Sequence, residues 1–240
     1  NAHKSYGPLG TIYTESNYYC GKLNGIDKNY DLAGNLRMSD ENYFADEHGK
    51  TTFYYHNKTK YCEYNQLDGA IDGQYNYFNQ KGEPILTIGY QNNSIKYYIK
   101  KSKTGGLDDK TEVIGETAEI SSFYPNGKIA MKINFVKGNR EGKIIIYNIE
   151  GKPEMESNYT SNLLNGERIE YYANGKIYKK ENFINNDFEG IQQYFKEDGK
   201  AWISATYKND ELDGNTLIYD NGALLITKKY DSNELVDIIK

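Results

Sequence analysis

Four runs decide the fold. They read Gly142-Lys-Ile-Ile-Ile-Tyr147-Asn-Ile-Glu-Gly151, Gly166-Glu-Arg-Ile-Glu-Tyr171-Tyr-Ala-Asn-Gly175, Gly190-Ile-Gln-Gln-Tyr-Phe195-Lys-Glu-Asp-Gly199 and Gly214-Asn-Thr-Leu-Ile-Tyr219-Asp-Asn-Gly222. The opening glycines recur every 24 residues, and an aromatic follows each by five places. The stretches between glycines are about six to nine residues, which suits strands and is short for helices. Asn126-Gly127, Asn174-Gly175, Asp198-Gly199 and Asn221-Gly222 predict tight turns, because glycine adopts positive φ cheaply. A second set, Asn24-Gly25, Asp72-Gly73, Asn165-Gly166, Glu189-Gly190 and Asp213-Gly214, predicts turns at the opposite corner. A unit of two strands and two tight turns then stacks into an antiparallel meander. The structural turn glycines expected on this reading are Gly25, Gly49, Gly73, Gly127, Gly142, Gly151, Gly166, Gly175, Gly190, Gly199, Gly214 and Gly222.

The pattern extends in both directions. Gly25, Gly49 and Gly73 keep the period, with Tyr30, Tyr54 and Phe78 five places on, although Lys58 replaces one turn glycine. The frame slips by three residues around 91–117, where Ile99 takes the aromatic place. It resumes with Phe123, Tyr147, Tyr171, Phe195 and Tyr219. A second aromatic lies eight places after the closing glycine, at Tyr90, Phe135, Tyr159, Phe183, Tyr207 and Tyr230. The expected fold is all-β, an elongated, twisted antiparallel meander of about eight or nine hairpins in one open-ended sheet. Residues 3–98 form a more degenerate block, 99–117 an irregular charged loop or degenerate repeat, and 118–240 a regular block. Asn1-Ala2 reads as a cloning remnant, which would mean that an upstream targeting segment was removed.

Composition narrows the function. Tyr, at 25 copies, is the commonest apolar-bodied residue, and a large ring with a polar tip suits a half-exposed sheet. The 29 basic and 34 acidic residues are interleaved, for a net charge of −5, so no basic face invites nucleic acid. No run of 18 apolar residues spans a membrane. Cys20 and Cys62 read as free, semi-buried thiols; a disulfide would suit an exported protein, but spacing alone does not give one. On the start of the chain, an exported or cell-envelope location is favoured over the cytoplasm.

The run Tyr171-Tyr-Ala-Asn-Gly-Lys-Ile-Tyr-Lys-Lys-Glu-Asn-Phe-Ile-Asn-Asn186 resembles the bacterial variant of the MORN repeat. Phe123-Tyr-Pro-Asn-Gly-Lys128 and Tyr194-Phe-Lys-Glu-Asp-Gly-Lys200 carry the same form. The resemblance covers 116–231 strongly and 10–98 more loosely. It implies a scaffold of hairpins used for protein–protein contacts, for phospholipid headgroups in some members, and as antitoxin or immunity partners of toxins in some bacterial ones.

No catalytic constellation, cofactor loop or metal signature stands out. His48 and His56 lie near Asp46, Glu47 and Cys62, yet they lack ligand spacing and read as polar corner residues. His56 with Cys62 is the only neighbouring pair for a nucleophile. Asp187/Glu189 and Asp210/Glu211/Asp213 read as solvated turn acids, and Lys100, Lys101, Lys103, Asp108, Asp109, Glu112 and Glu116 as a solvated charged segment. The aromatic stripe is expected to be core. Strand alternation then turns the second ring of each pair, Tyr55, Tyr124 and Tyr172, to the opposite face as candidate partner-binding residues. The expected function is a non-enzymatic repeat scaffold that binds a protein. The alternative is a carbohydrate- or phospholipid-binding module that uses exposed tyrosine rows, and open sheet edges would allow oligomers.

Overall fold

A computed structural model describes residues 2–42, 49–102 and 110–239. All the regular structure among them is β. The first sheet follows chain order through Ala2–Tyr6, Ile12–Tyr19, Gly25–Tyr30, Leu36–Asn42, Gly49–Tyr54, Lys60–Leu67, Gly73–Phe78, Pro84–Gln91, Ser94–Lys100 and Thr111–Glu112. The second does the same through Ala118–Phe123, Ile129–Val136, Gly142–Tyr147, Pro153–Thr160, Leu163–Tyr171, Ile177–Ile184, Gly190–Phe195, Ala201–Lys208, Glu211–Asp220, Ala223–Asp231 and Glu234–Ile239. Two-residue pieces such as Lys22–Leu23 and Asp187–Phe188 extend individual hairpins.

The meander of antiparallel hairpins forms as the period predicts, but as two sheets rather than one, with 12 and 13 strands. The break coincides with the frame slip. Thr111–Glu112 pairs with only Tyr97 and Tyr98, and the next strand, Ala118–Phe123, opens a new ladder. The irregular stretch is therefore partly strand: Ser94–Lys100 pairs along its length with Pro84–Gln91. Lys103, Asp108 and Asp109 lie outside the described residues.

The chain forms two compact units, Asn1–Gly138 with Tyr147–Gly151, and Asn139–Ile146 with Lys152–Lys240. In the first, Tyr55, Tyr61, Cys62, Tyr75 and Tyr77 are buried among Ile85, Leu86 and Ile88. Tyr75 stacks on Tyr64 with ring centres 4.8 Å apart, and its hydroxyl lies 3.3 Å from Cys62 Sγ. In the second, Tyr178 meets Tyr194 edge-on at 5.7 Å, and Phe183, Phe188 and Tyr207 form a run of ring contacts.

Two kinds of turn alternate along the chain. At the first, Gly175 N–H donates to the Tyr172 carbonyl at 2.8 Å, and Tyr172 N–H donates to the Lys176 carbonyl at 2.8 Å. Only Gly175 of this turn is left-handed, at φ 85°. This is a type I turn closed by a glycine bulge, and it recurs at Gly127, Gly151 and Gly199. Both residues of the pair are left-handed at Asn221-Gly222 (φ 49° and 86°), whereas at Asn126-Gly127, Asn174-Gly175 and Asp198-Gly199 only the glycine is.

The opposite corner also corrects the sequence reading. Its tips are Ser161-Asn162, Asn185-Asn186, Asn209-Asp210 and Ser232-Asn233, all left-handed two-residue turns. Asn and Asp tolerate this conformation better than other side-chain-bearing residues, so the corner needs no glycine. Gly166, Gly190 and Gly214 sit four residues past these tips, as do Gly25, Gly73 and Gly142 past theirs. They are bulge glycines rather than turn glycines. Opposite Gly214, for example, the pairing shifts between Ala205 and Tyr207. Gly49 is also at positive φ, 149°. Lys58 takes the place of a turn glycine at φ 70°.

Candidate functional site

The tyrosines expected to face outward are mostly inside. Tyr55 and Tyr124 are 0 % and 1 % exposed, and Tyr172 is half-buried. Each ends a strand at a turn and sends its hydroxyl to the next hairpin's backbone. Tyr55 donates to the Phe78 carbonyl at 2.9 Å, Tyr124 to Tyr147 at 2.6 Å and Tyr172 to Phe195 at 2.8 Å. Asn79 Nδ2 also donates to the Tyr124 hydroxyl at 3.1 Å. The aromatic stripe does the reverse of what was expected: Tyr30, Tyr54, Phe123, Tyr147, Tyr171, Phe195 and Tyr219 are all half-exposed. Alternation was the right rule, but its phase was inverted. Ser122 and Tyr124 share the inward side, and Phe123 between them does not.

The rest of the turn motif is also engaged within the chain. In Tyr172-Ala-Asn-Gly-Lys176, Asn174 Oδ1 accepts from Lys176 N–H at 2.9 Å, and Nδ2 donates to the Glu197 carbonyl at 3.1 Å. Lys176 Nζ donates to the Asp198 carbonyl at 2.7 Å. Hence the motif joins each turn to the next, and its residues are occupied in holding the stack.

The exposed apolar side chains of the second unit's inward face lie in its C-terminal strands. The inward face is covered at Tyr178 and Leu212, 2 % and 9 % exposed. The equivalent places are Leu225, two repeats after Tyr178, and Leu235, one repeat after Leu212, which are 55 % and 49 % exposed. Ile238, paired with Lys228, is exposed on the same side, and Trp202, Ile218 and Ile226 are half-exposed. Lys196 Nζ sits 3.3 Å from the Trp202 ring centre, a cation held over an indole face. Glu234–Ile239 is the last strand of this sheet and is exposed along its length. The sequence reading missed these residues. The signal was available in the period, since Trp202 and Leu225 repeat the inward place of Tyr178.

Electrostatics on the outward side is local. Burial alone would raise the Glu156 carboxyl, but hydrogen bonds from Lys143 and Tyr171 outweigh it and leave the group below the usual range. Tyr171 donates to Glu156 Oε1 at 2.8 Å, and burial together with that bond pushes its phenol upward. Glu63 repeats the arrangement with Lys50 and Lys60 at 2.7 and 2.8 Å. Glu189 Oε2 and Asp210 Oδ1 accept from the Asn209 and Phe188 N–H groups, so these corner acids brace the turns. Among the described residues no three His, Cys, Asp or Glu side chains converge in a metal-binding group. His48, Asp46 and Glu47 lie outside them. Cys62 is buried and Cys20 exposed, and neither is in a disulfide.

No curated protein matches the sequence. Among solved structures, one similar chain is in the crystal structure of TcdB2-TccC3-Cdc42, at 10 % identity and a TM-score of 0.23. That alignment takes in 95 % of this chain and spans 14 % of the other, and a likeness at this level carries no argument. Residues 116–137 and 164–185 match the family described as MORN repeat variant. The two segments begin in the same phase of the hairpin, so both matches fall at equivalent places of the repeat.

Proposed function

We propose that this protein is a non-enzymatic scaffold that binds a protein partner, with the uncovered inward face of Trp202, Leu225, Leu235 and Ile238 as the docking place. The supporting observation is the change from buried to exposed at equivalent repeat places, from Tyr178 at 2 % to Leu225 at 55 %. Contiguous exposed apolar side chains mark interaction surfaces. Leucine and isoleucine side chains suit an apolar protein surface better than a sugar or a phosphate headgroup. A toxin-like protein, neutralised by such a scaffold, is the partner class that the family resemblance suggests.

A photo-crosslinking amino acid placed at 225, with a second placed at buried 178 as the control, tests the proposal in cells of the source organism. The expected result is one dominant protein adduct from position 225, lost when Leu235→Asp and Ile238→Asp are introduced. Adducts to lipid or glycan, or crosslinks confined to this chain, would overturn it.

A further inference from the structure

The inward face of the second unit holds a cluster of four charged side chains at places that are apolar or uncharged in the repeats on either side. Arg168, Glu170, Lys179 and Glu181 are 3 %, 1 %, 2 % and 0 % exposed. They stand on the adjacent strands Leu163–Tyr171 and Ile177–Ile184, and the register sets Arg168 opposite Glu181 and Glu170 opposite Lys179. Lys179 Nζ lies 3.6 Å from Glu170 Oε2 and 3.2 Å from Glu181 Oε1. Tyr194 on the following strand donates to Glu181 Oε1 at 3.0 Å. One period earlier the same places read Ile144, Ile146, Met155 and Ser157, and one period later Gln192, Tyr194, Ile203 and Ala205.

We infer that this buried charged cluster, in which Lys179 bridges Glu170 and Glu181 and Arg168 stands opposite Glu181 in the register, selects the strand pairing of the repeat array. The hairpins share one period, one turn motif and one inward pattern, so strand Ile177–Ile184 would meet almost the same surface on a neighbouring hairpin or on a second copy of the chain. Such slippage is the characteristic hazard of strands whose register is weakly specified. Apolar contacts barely distinguish the alternatives. The charges do: paired with Gly142–Tyr147 instead, Lys179 would face Ile146 and Glu181 would face Ile144, leaving ions buried against hydrocarbon. A buried ion pair adds little net stability over well-packed apolar residues, whereas breaking one is costly. Its effect falls on wrong pairings, which makes it a discriminating device.

Two variants of the full chain test this. The first replaces the group by residues that its neighbouring repeats use: Arg168→Ile, Glu170→Ile, Lys179→Met and Glu181→Ala. The second reverses the signs but keeps the complementarity: Arg168→Glu with Glu181→Arg, and Glu170→Lys with Lys179→Glu. Each is unfolded, refolded and examined by amide NMR and native mass spectrometry. The apolar variant is expected to keep its denaturation midpoint, yet to show additional amide resonance sets for 153–195 and new strand-exchanged dimers. The reversed variant is expected to return one resonance set and a monomer-to-dimer ratio unchanged from the parent. One resonance set from the apolar variant overturns the inference. If the apolar variant fails to fold, the reversed variant decides alone: a single set supports the inference, and several sets, or failure to fold, overturn it.

Discussion

Asn186 and Leu164, 22 residues apart, are joined twice. The Asn186 N–H donates to the Leu164 carbonyl at 2.9 Å, and Asn186 Oδ1 accepts from the Leu164 N–H at 2.8 Å. Asn162 with Arg140, Asp210 with Phe188 and Asn233 with Leu212 repeat the bond pair. The tip of each hairpin thus clips onto the one before it, with an Asn or Asp that is also suited to the left-handed turn.

Replacing Asn186 separates these two roles. Asn186→Ala leaves an unsatisfied N–H and a strained φ, and is expected to cost about 2–3 kcal/mol. Asn186→Gly keeps the turn and loses only the acceptor, for about 1 kcal/mol. Urea midpoints of the two variants give the comparison, and equal losses would mean that the left-handed strain contributes nothing.

Tyr124 binds the Tyr147 carbonyl and receives Asn79 at once, so its hydroxyl should matter more than its exposure as a partner ligand would suggest. Tyr124→Phe is expected to lower stability by about 1–3 kcal/mol, and Tyr124→Ala by about 3–5 kcal/mol through the cavity. Thermal unfolding of both variants checks this. A neutral Tyr124→Phe would show that the buried bond is replaced by another.

The two glycine environments predict unequal costs. A Cβ at Gly49 would lie 2.1 Å from the Glu41 carbonyl oxygen, whereas at Gly127 nothing lies within 4 Å. Gly127→Ala should therefore cost only the left-handed strain, about 1–2 kcal/mol, and Gly49→Ala distinctly more, because backbone must move. Guanidinium titrations of the two single variants should rank them in that order.

Stability should fall in acid through Glu156. Its carboxyl sits below the usual range in the folded protein, since the Lys143 and Tyr171 bonds outweigh burial. The unfolded chain therefore takes up a proton first as pH falls. The stabilisation is whole above the ordinary Glu range and is lost as pH drops through the lowered value. Tyr171→Phe removes one donor and should move the Glu156 titration upward, observable in its carboxyl carbon shift. An unmoved titration would assign the depression to Lys143 alone.

The period of 24, the paired glycines and the short runs between them settle much of this protein by themselves: all β, antiparallel, hairpin after hairpin. These are local matters, because positive φ and strand length depend on a few adjacent residues. The sequence was harder to read where several residue types can do the same job. Asn185-Asn186 turns the chain as well as a glycine pair does, and so Gly190, four places on, passes for the turn.

Which ring is inside was decided by tertiary structure. Tyr171 and Tyr172 are adjacent and chemically identical, and alternation says only that they differ. The second goes inward because, at the strand end, its hydroxyl reaches the Phe195 carbonyl of the following hairpin. Likewise, the period gives Tyr178 and Leu225 one and the same place, and only the packing of neighbouring strands buries the first and leaves the second exposed. Sequence determines the repeating unit through local backbone preference; burial is set by what lies against each unit, and a periodic sequence carries that information only weakly.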